Sequence, residues 1–251
     1  KSVYQMDPGR LGAYVKPTYV YAAGTIYQSA CAPKPMHLIL HSCSFAGQDD
    51  PFRPPTPEEK RVELYYSIAA GARGISFWWY TSGGGYNGMG SDTPSMRRLF
   101  AECALVGAEL RSAEPLLSRA CPAPLPVQGS RMLWVRTLLA GQDSIVIVIV
   151  NDSIACDRKG TVVRPLEKAG MQLKPPAWLQ SRDVFEVSSG GMKDVDWKST
   201  DSGLSVNLGK VEVTRMIVVT SDTELRGHLQ QRYDTHFAGN IVKLVDEAKV
   251  K

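Results

Sequence analysis

The sequence predicts two architectures in series: a parallel α/β region, then an antiparallel all-β region with a short helical tail. Three observations carry this. Between Lys34 and Tyr80 an apolar run, a capped helix and a second apolar run follow one another in the order of a βαβ crossover. Prolines 115, 122, 124 and 126 then interrupt the chain as an extended connector. Beyond them the pattern falls to short runs rich in β-branched residues separated by turns, the signature of an antiparallel sandwich or small barrel.

The elements follow in order. Ser2 to Met6 reads as a strand tip, and Asp7, Pro8 and Gly9 as a turn. Val20, Ala23, Ile26, Tyr27 and Ala30 recur at three- and four-residue spacing, which predicts a helix from about Pro17 to Ala30. Ala32-Pro33-Lys34-Pro35 ends it, and Pro35 to His41 (PMHLILH) is the next strand. Thr56, Pro57 and Glu59 spell a helix start: a capping threonine, a proline whose missing N–H costs nothing at the first position, and a glutamate that closes a capping box. Val62, Tyr65, Tyr66 and Ala69 form the apolar stripe, and Gly71 supplies the left-handed stop. Gly74 to Tyr80 (GISFWWY) is the second strand of the crossover. A flexible glycine loop, residues 83–90, leads to a helix restarted by Thr93-Pro94 and ending near Arg111.

The all-β region predicts strands at Met132 to Leu139, Ser144 to Asn151, Thr161 to Arg164, Asp183 to Val187, Leu204 to Leu208 and Val211 to Thr220. Ile145 to Val150 is apolar on both faces and belongs at the centre of a sheet, because an exposed edge of that composition invites aggregation. From Thr223 the pattern is helical again.

Composition bounds the function classes. A chain of 251 residues with 43% hydrophobic content can bury a substantial core. The net charge of +4 comes from 29 basic and 25 acidic residues mixed along the chain, without a dense Lys/Arg run, so nucleic acid is excluded as a partner. The longest apolar run falls far short of the ~20 residues of a membrane helix, so no membrane span is expected. Five widely spaced cysteines without CxxC are expected to be plain buried thiols, with one or two bridges as the alternative. The chain starts at Lys1, with neither a methionine nor a secretory leader; the expectation is a fragment whose compartment is unknown.

Three parallel strands cannot close a barrel whose geometry requires about eight. The expected organisation is therefore the C-terminal part of a TIM-type barrel, about strands six to eight, over residues 1–118. A β-sandwich over 119–222 and a helical tail over 223–251 follow, and the missing N-terminal part of the barrel is a partner. Functional groups on such a unit lie where parallel strands end, at residues 42–53 and 80–92.

The run PTPEEKRVELYYSIAAGARGISFWWYTSGGG, the helix end GAELRSAEPLL and the β opening MLWVRTLLAGQDSIVIVIVND together resemble the end of a glycoside-hydrolase-type barrel with its C-terminal β-sandwich. Gly71-Ala72-Arg73-Gly74 matches the turn before an aromatic final strand, here Phe77, Trp78, Trp79 and Tyr80. The resemblance implies a carbohydrate-active protein, a glycoside hydrolase or its C-terminal portion, holding an oligo- or polysaccharide across the C-terminal mouth. Extracellular or periplasmic localisation goes with a polysaccharide-degrading role. It also implies a nucleophilic Glu at the end of strand seven, where this chain has His41-Ser42-Cys43-Ser44. The alternative is a non-catalytic saccharide-binding or structural protein with a degenerate barrel.

Glycoside hydrolysis needs two carboxyls flanking the scissile bond. Asp7, at the end of the sixth strand beside Arg10, is the candidate catalytic acid, though Asp-Pro-Gly is also a plain turn. Trp78, Trp79, Tyr80 and Tyr86 are candidate substrate contacts, because flat rings pack on sugar CH faces while indole and phenol tips hydrogen-bond. Alternation sends Trp78 and Tyr80 to one face of the strand and Trp79 to the other. His41, Asp49 and Arg53 complete the set; Arg53 clamps a sugar or braces the loop against Asp49 or Asp50. His37 and His41 share a strand face, but no third ligand of metal-like spacing follows, so neither metal nor cofactor is expected. A Cys43/His41 nucleophilic pair has no orienting third residue, which favours a structural thiol.

Overall fold

The computed structural model describes residues 18–46, 52–157 and 160–249, with side chains 156–160 and 244–249 left aside. The expected strand over residues 2–6, Asp7, Arg10, Asp49 and Asp50 lie outside the described residues. The chain divides into two compact units: Lys1–Leu105 with Ile154–Val162 and Val242–Lys251, and Val106–Ser153 with Val163–Ile241.

In the first unit α1 (Thr18–Cys31) precedes β1 (His37–His41) and the two-residue strand β2 (Ser44–Phe45). Then come α2 (Pro57–Ala69), β3 (Gly74–Trp78), the two-residue β4 (Tyr86–Asn87) and α3 (Pro94–Ser112), whose second half belongs to the other unit. β1 and β3 pair in parallel, His37 opposite Gly74 and His41 opposite Trp78, with α2 as the crossover. The capping box forms as the sequence spells it: Thr56 Oγ1 accepts from Glu59 N–H, and Glu59 accepts from Thr56 N–H at 2.8 Å. Gly71, at φ 93°, adopts the left-handed conformation that ends the helix.

The stripe on α2 proves too narrow a description. Tyr65, Tyr66 and Val62 are buried, but so are Glu59, Lys60, Glu63 and Ser67 on the remaining faces. A helix enclosed all round must pair its charges, since an isolated buried ion costs several kcal/mol. Lys60 does so with Glu63 at 2.5 Å and with the His41 carbonyl. Glu59 accepts two bonds from Arg53, at 2.6 and 2.7 Å, and one from Thr161 Oγ1 at 2.6 Å.

The second unit starts within α3 at Val106 and continues with the one-turn helix α4 (Glu114–Leu117), which incorporates Pro115 in its first turn, and β5 (Ala120–Pro122). The proline-rich connector is thus partly structured rather than extended throughout. There follow β6 (Val127–Gly129), β7 (Leu133–Ala140) and β8 (Ser144–Asn151). β9 (Ile154–Asp157) and β10 (Gly160–Val163) pair with each other, and residues Ile154–Val162 belong to the first unit. Next come β11 (Leu166–Leu173), β12 (Asp183–Ser188), β13 (Gly191–Asp194), β14 (Asp196–Thr200), β15 (Gly203–Val211) and β16 (Thr214–Thr220). The tail holds α5 (Leu225–His236) and α6 (Ala238–Lys249), the latter belonging to the first unit from Val242 on.

Two antiparallel sheets share one apolar core. The six-stranded sheet runs β13-β12-β16-β8-β7-β5 and the four-stranded sheet β14-β15-β11-β6. Ile145, Ile147 and Ile149 from the first meet Met171, Leu173, Leu204 and Val206 from the second. β8 is interior and every one of its residues is buried, as its two-faced apolar composition predicts. Asn151 ends it: its buried amide donates to the carbonyls of Arg164, Val211 and Glu212 at 2.8 to 3.2 Å, satisfying backbone where the chain leaves the sheet. Among the described residues no helix is long and apolar enough to cross a membrane.

Candidate functional site

The C-terminal ends of β1 and β3 gather the residues of interest. His41 lies opposite Trp78 in register, and the Ser42 N–H donates to the Trp78 carbonyl. The strand ends there. Trp79 and Tyr80 lie beyond it, so the expected strand alternation of Trp78 and Tyr80 against Trp79 does not apply. All three rings are exposed, Trp78 by 50%, Trp79 by 36% and Tyr80 by 61%.

The loops after the two strands pair through β2 and β4, Ser44 with Asn87 and Phe45 with Tyr86, and Phe52 bridges to Phe45. This small sheet links rings into a chain. His41 stands edge-on to Phe52 at 4.5 Å between centroids, Phe52 lies 5.7 Å from Phe45, and Phe45 4.5 Å from Tyr86. Tyr86 is 6.0 Å from Trp79, which is 5.0 Å from Trp78. Each separation falls within the range where aromatic pairs attract by about 0.5–1.5 kcal/mol beyond their buried area. Phe45 and Phe52 were not singled out by the sequence reading. Their signal was two phenylalanines in the otherwise polar loop SCSFAGQDDPFRP, where a solvated segment has no use for them.

The glycine loop is tied by backbone hydrogen bonds. Gly83 and Tyr86 exchange backbone hydrogen bonds at 2.9 and 3.0 Å, with Gly84 and Gly85 at positive φ in the turn between them. Met89 and Gly90 N–H groups return to the Trp79 and Tyr80 carbonyls at 3.0 and 2.8 Å. A Cβ on Gly88 would sit 2.4 Å from the Tyr80 carbonyl, so only glycine admits this approach.

Beneath the rings the imidazole and thiol groups are uncharged near neutral pH. His41 is held down to about 4, first by burial and second by the Lys60 ammonium, with a backbone hydrogen bond at Cys43 opposing. Burial pushes the Cys43 thiol up, and Cys103 up to about 12. Cys43 Sγ lies 4.0 Å from His41 Nδ1, but a neutral imidazole beside a protonated thiol is no activated pair. Cys43 and Cys103 are buried as expected; Cys31 and Cys121 are exposed. Arg53, read from the sequence as a sugar clamp or a loop brace, directs its fork onto Glu59 and one N–H onto the Pro54 carbonyl. Among the described residues no group of three or more His, Cys, Asp or Glu gathers as a metal cage.

No protein-family model matches the chain, and no curated protein does. Solved structures give distant likenesses. A glycoside hydrolase family 5 protein from Bacteroides vulgatus is 12% identical at a TM-score of 0.47, covering 88% of this chain and 50% of its own. A cycloisomaltooligosaccharide glucanotransferase from Paenibacillus sp., complexed with cycloisomaltoheptaose, is 10% identical at 0.47, covering 67% and 28%. Alpha-L-fucosidase isoenzyme 2 from Paenibacillus thiaminolyticus is 14% identical at 0.32, covering 38% and 15%. The chain spans half or less of the length of each.

Proposed function

We propose that this chain is the C-terminal part of a glycoside-hydrolase-type barrel with an appended β-sandwich, and that a saccharide lies across the C-terminal ends of β1 and β3. The chain of six rings from His41 to Trp78 carries the reading. A sugar presents flat CH faces and a rim of hydroxyls, and exposed tryptophans fit the first while indole N–H and phenol O–H groups fit the second. A neutral His41 at the end of this chain of rings adds no charge that would draw an anionic ligand in place of a sugar. The domain division proposed is 1–118, 119–222 and 223–251, with Asp7 as one catalytic carboxyl and Asp49 at the mouth.

A non-catalytic saccharide-binding protein is the second reading, favoured by one observation. The end of β1 offers His41, Ser42, Cys43 and Ser44 and no carboxylate, while the nearest acids on α2, Glu59 and Glu63, are committed to Arg53 and Lys60. A glycan array combined with a reducing-sugar assay tests both. Binding with sugar release that Asp7→Asn abolishes supports the enzyme; binding without release supports the second reading. No binding to any glycan contradicts both.

A further inference from the structure

The outward face of the four-stranded sheet carries a polar depression unlike the aromatic site. Register aligns Lys198, Ser205, Gln172 and Gln128 in one row across the four strands, and Asp196, Asn207 and Gly170 in the next. The intervening residues Leu173, Met171, Leu204 and Val206 fill the core, so alternation turns both rows to solvent. The register shifts between Ala169 and Gly170, and the missing side chain at Gly170 leaves a floor of bare backbone. Ser130 closes one end, its Oγ accepting from Gly170 N–H at 2.9 Å and donating to the Gly170 carbonyl at 3.1 Å. The resulting open depression has a volume of about 490 Å³ between Gln128, Lys168, Gln172, Ser205 and Asn207.

Gln, Asn, Gly and Ser are poor choices for the middle of interior strands, where β-branched and aromatic residues stabilise a sheet. β11 and β15 carry them side by side on one face while keeping a fully apolar pattern on the other. Such a local departure from the stabilising choice is expected where a surface has a task. The chemistry is specific. Three carboxamides and a hydroxyl each offer donors and acceptors, on strands about 4.8 Å apart. Asn207 is fixed in place: its amide donates to Asp196 at 3.0 Å and its carbonyl oxygen accepts from Gly209 N–H at 3.1 Å. Vicinal hydroxyls, each both donor and acceptor, are the complement. Lys168 lines the depression, Lys198 adjoins it in the row of Ser205 two residues from Asp196, and no arginine fork is among the lining residues, which does not select a phosphate or carboxylate. No apolar side chain is presented on either row to select a lipid or an apolar peptide.

We propose that this depression is a second saccharide site, binding a neutral oligosaccharide edge-on through Gln128, Gln172 and Ser205. It is independent of the aromatic end of β1 and β3 and, lacking rings to stack on, it is the weaker of the two.

The test uses the full chain labelled with 15N and titrated to millimolar concentrations with maltohexaose, cellohexaose, xylohexaose and mannohexaose. Saturable shifts of the Gln128 and Gln172 side-chain amide resonances are expected with at least one of them, in the wild type and in a Trp78→Ala/Trp79→Ala variant alike. Gln128→Ala/Gln172→Ala should weaken that binding at least tenfold, read from the Ser205 backbone amide, with thermal unfolding unchanged. The absence of saturable shifts with all four sugars overturns the proposal, as does saturable response of the same amides to inorganic phosphate. Loss confined to the tryptophan variant would also overturn it, whereas a failure of the aromatic site alone would leave these amide shifts in place.

Discussion

The two units bury their strands to different degrees. In the all-β unit, β8 is enclosed on both faces and its isoleucines are fully buried. In the first unit, β1 has an apolar centre, Leu38-Ile39-Leu40, between two histidines, yet Ile39 is 63% exposed and only Leu40 of its five residues is buried. The Leu38-Ile39-Leu40 centre of β1 is comparable in apolarity to a triplet of β8, so partners as well as composition decide what a strand can stabilise. The all-β unit closes its own core between two sheets, whereas the parallel pair spends its strand ends on presenting rings.

The largest effects should come from treating like residues in the two units alike. Ile147→Ala should cost about 2–5 kcal/mol in urea denaturation, because it opens a cavity in a packed core, while Ile39→Ala should cost well under ~1 kcal/mol. Equal losses would break the comparison. Within the first unit the sensitive positions should instead be polar. Glu59→Ala removes the acceptor shared by Arg53, Thr56 and Thr161 and leaves buried donors unmet; a loss of about 2–4 kcal/mol is expected from the same unfolding measurement. Thr56→Ala, which removes only the cap, should cost about 1 kcal/mol.

These polar positions mark where the sequence was legible. Thr56, Pro57, Glu59 and Gly71 could be read one by one, because caps act within four residues of chain and need no tertiary partner. The parallel pairing of β1 and β3 followed from the helix between them. What the pattern hid was long-range. Lys60 and Glu63 read as ordinary helix-surface charges, since nothing local reveals that the helix is enclosed. β11 was missed because the register shift at Ala169 and Gly170 breaks the alternation of LEKAGMQL, and β14 because DWKST is polar. At the site, the tryptophans and Tyr86 were legible from composition. The turn that sends Trp79 and Tyr80 out of the strand was not, since it depends on Gly88 and Gly90 closing against them.

A pH effect sharpens the contrast further. The folded His41 titrates near 4 while its unfolded counterpart titrates near 6.5, so between these values the unfolded chain binds the extra proton. Stability of the first unit should therefore be intact above pH 6.5 and fall as pH drops towards 4, approaching ~1.4 kcal/mol per pH unit at the steepest. His41→Gln should flatten that dependence in urea midpoints measured from pH 7.5 to 4.5. An unchanged slope would place the burial of His41 in doubt. Most telling for the site itself is Gly88→Ala. The forced contact with Tyr80 should cost about 1–3 kcal/mol and displace the Trp79–Tyr80 segment, lowering saccharide affinity even where folding survives.

The central claim, that the aromatic ends of β1 and β3 hold sugar, is tested most directly by isothermal titration of the tightest-binding glycan from the array into three proteins. They are the wild type, Trp78→Ala/Trp79→Ala, and Trp178→Ala, whose ring in the all-β unit is as exposed as Trp78. The account predicts at least a tenfold loss of affinity in the double variant and less than a twofold change in Trp178→Ala. Unaltered affinity in the double variant, or equal losses in both, would contradict it.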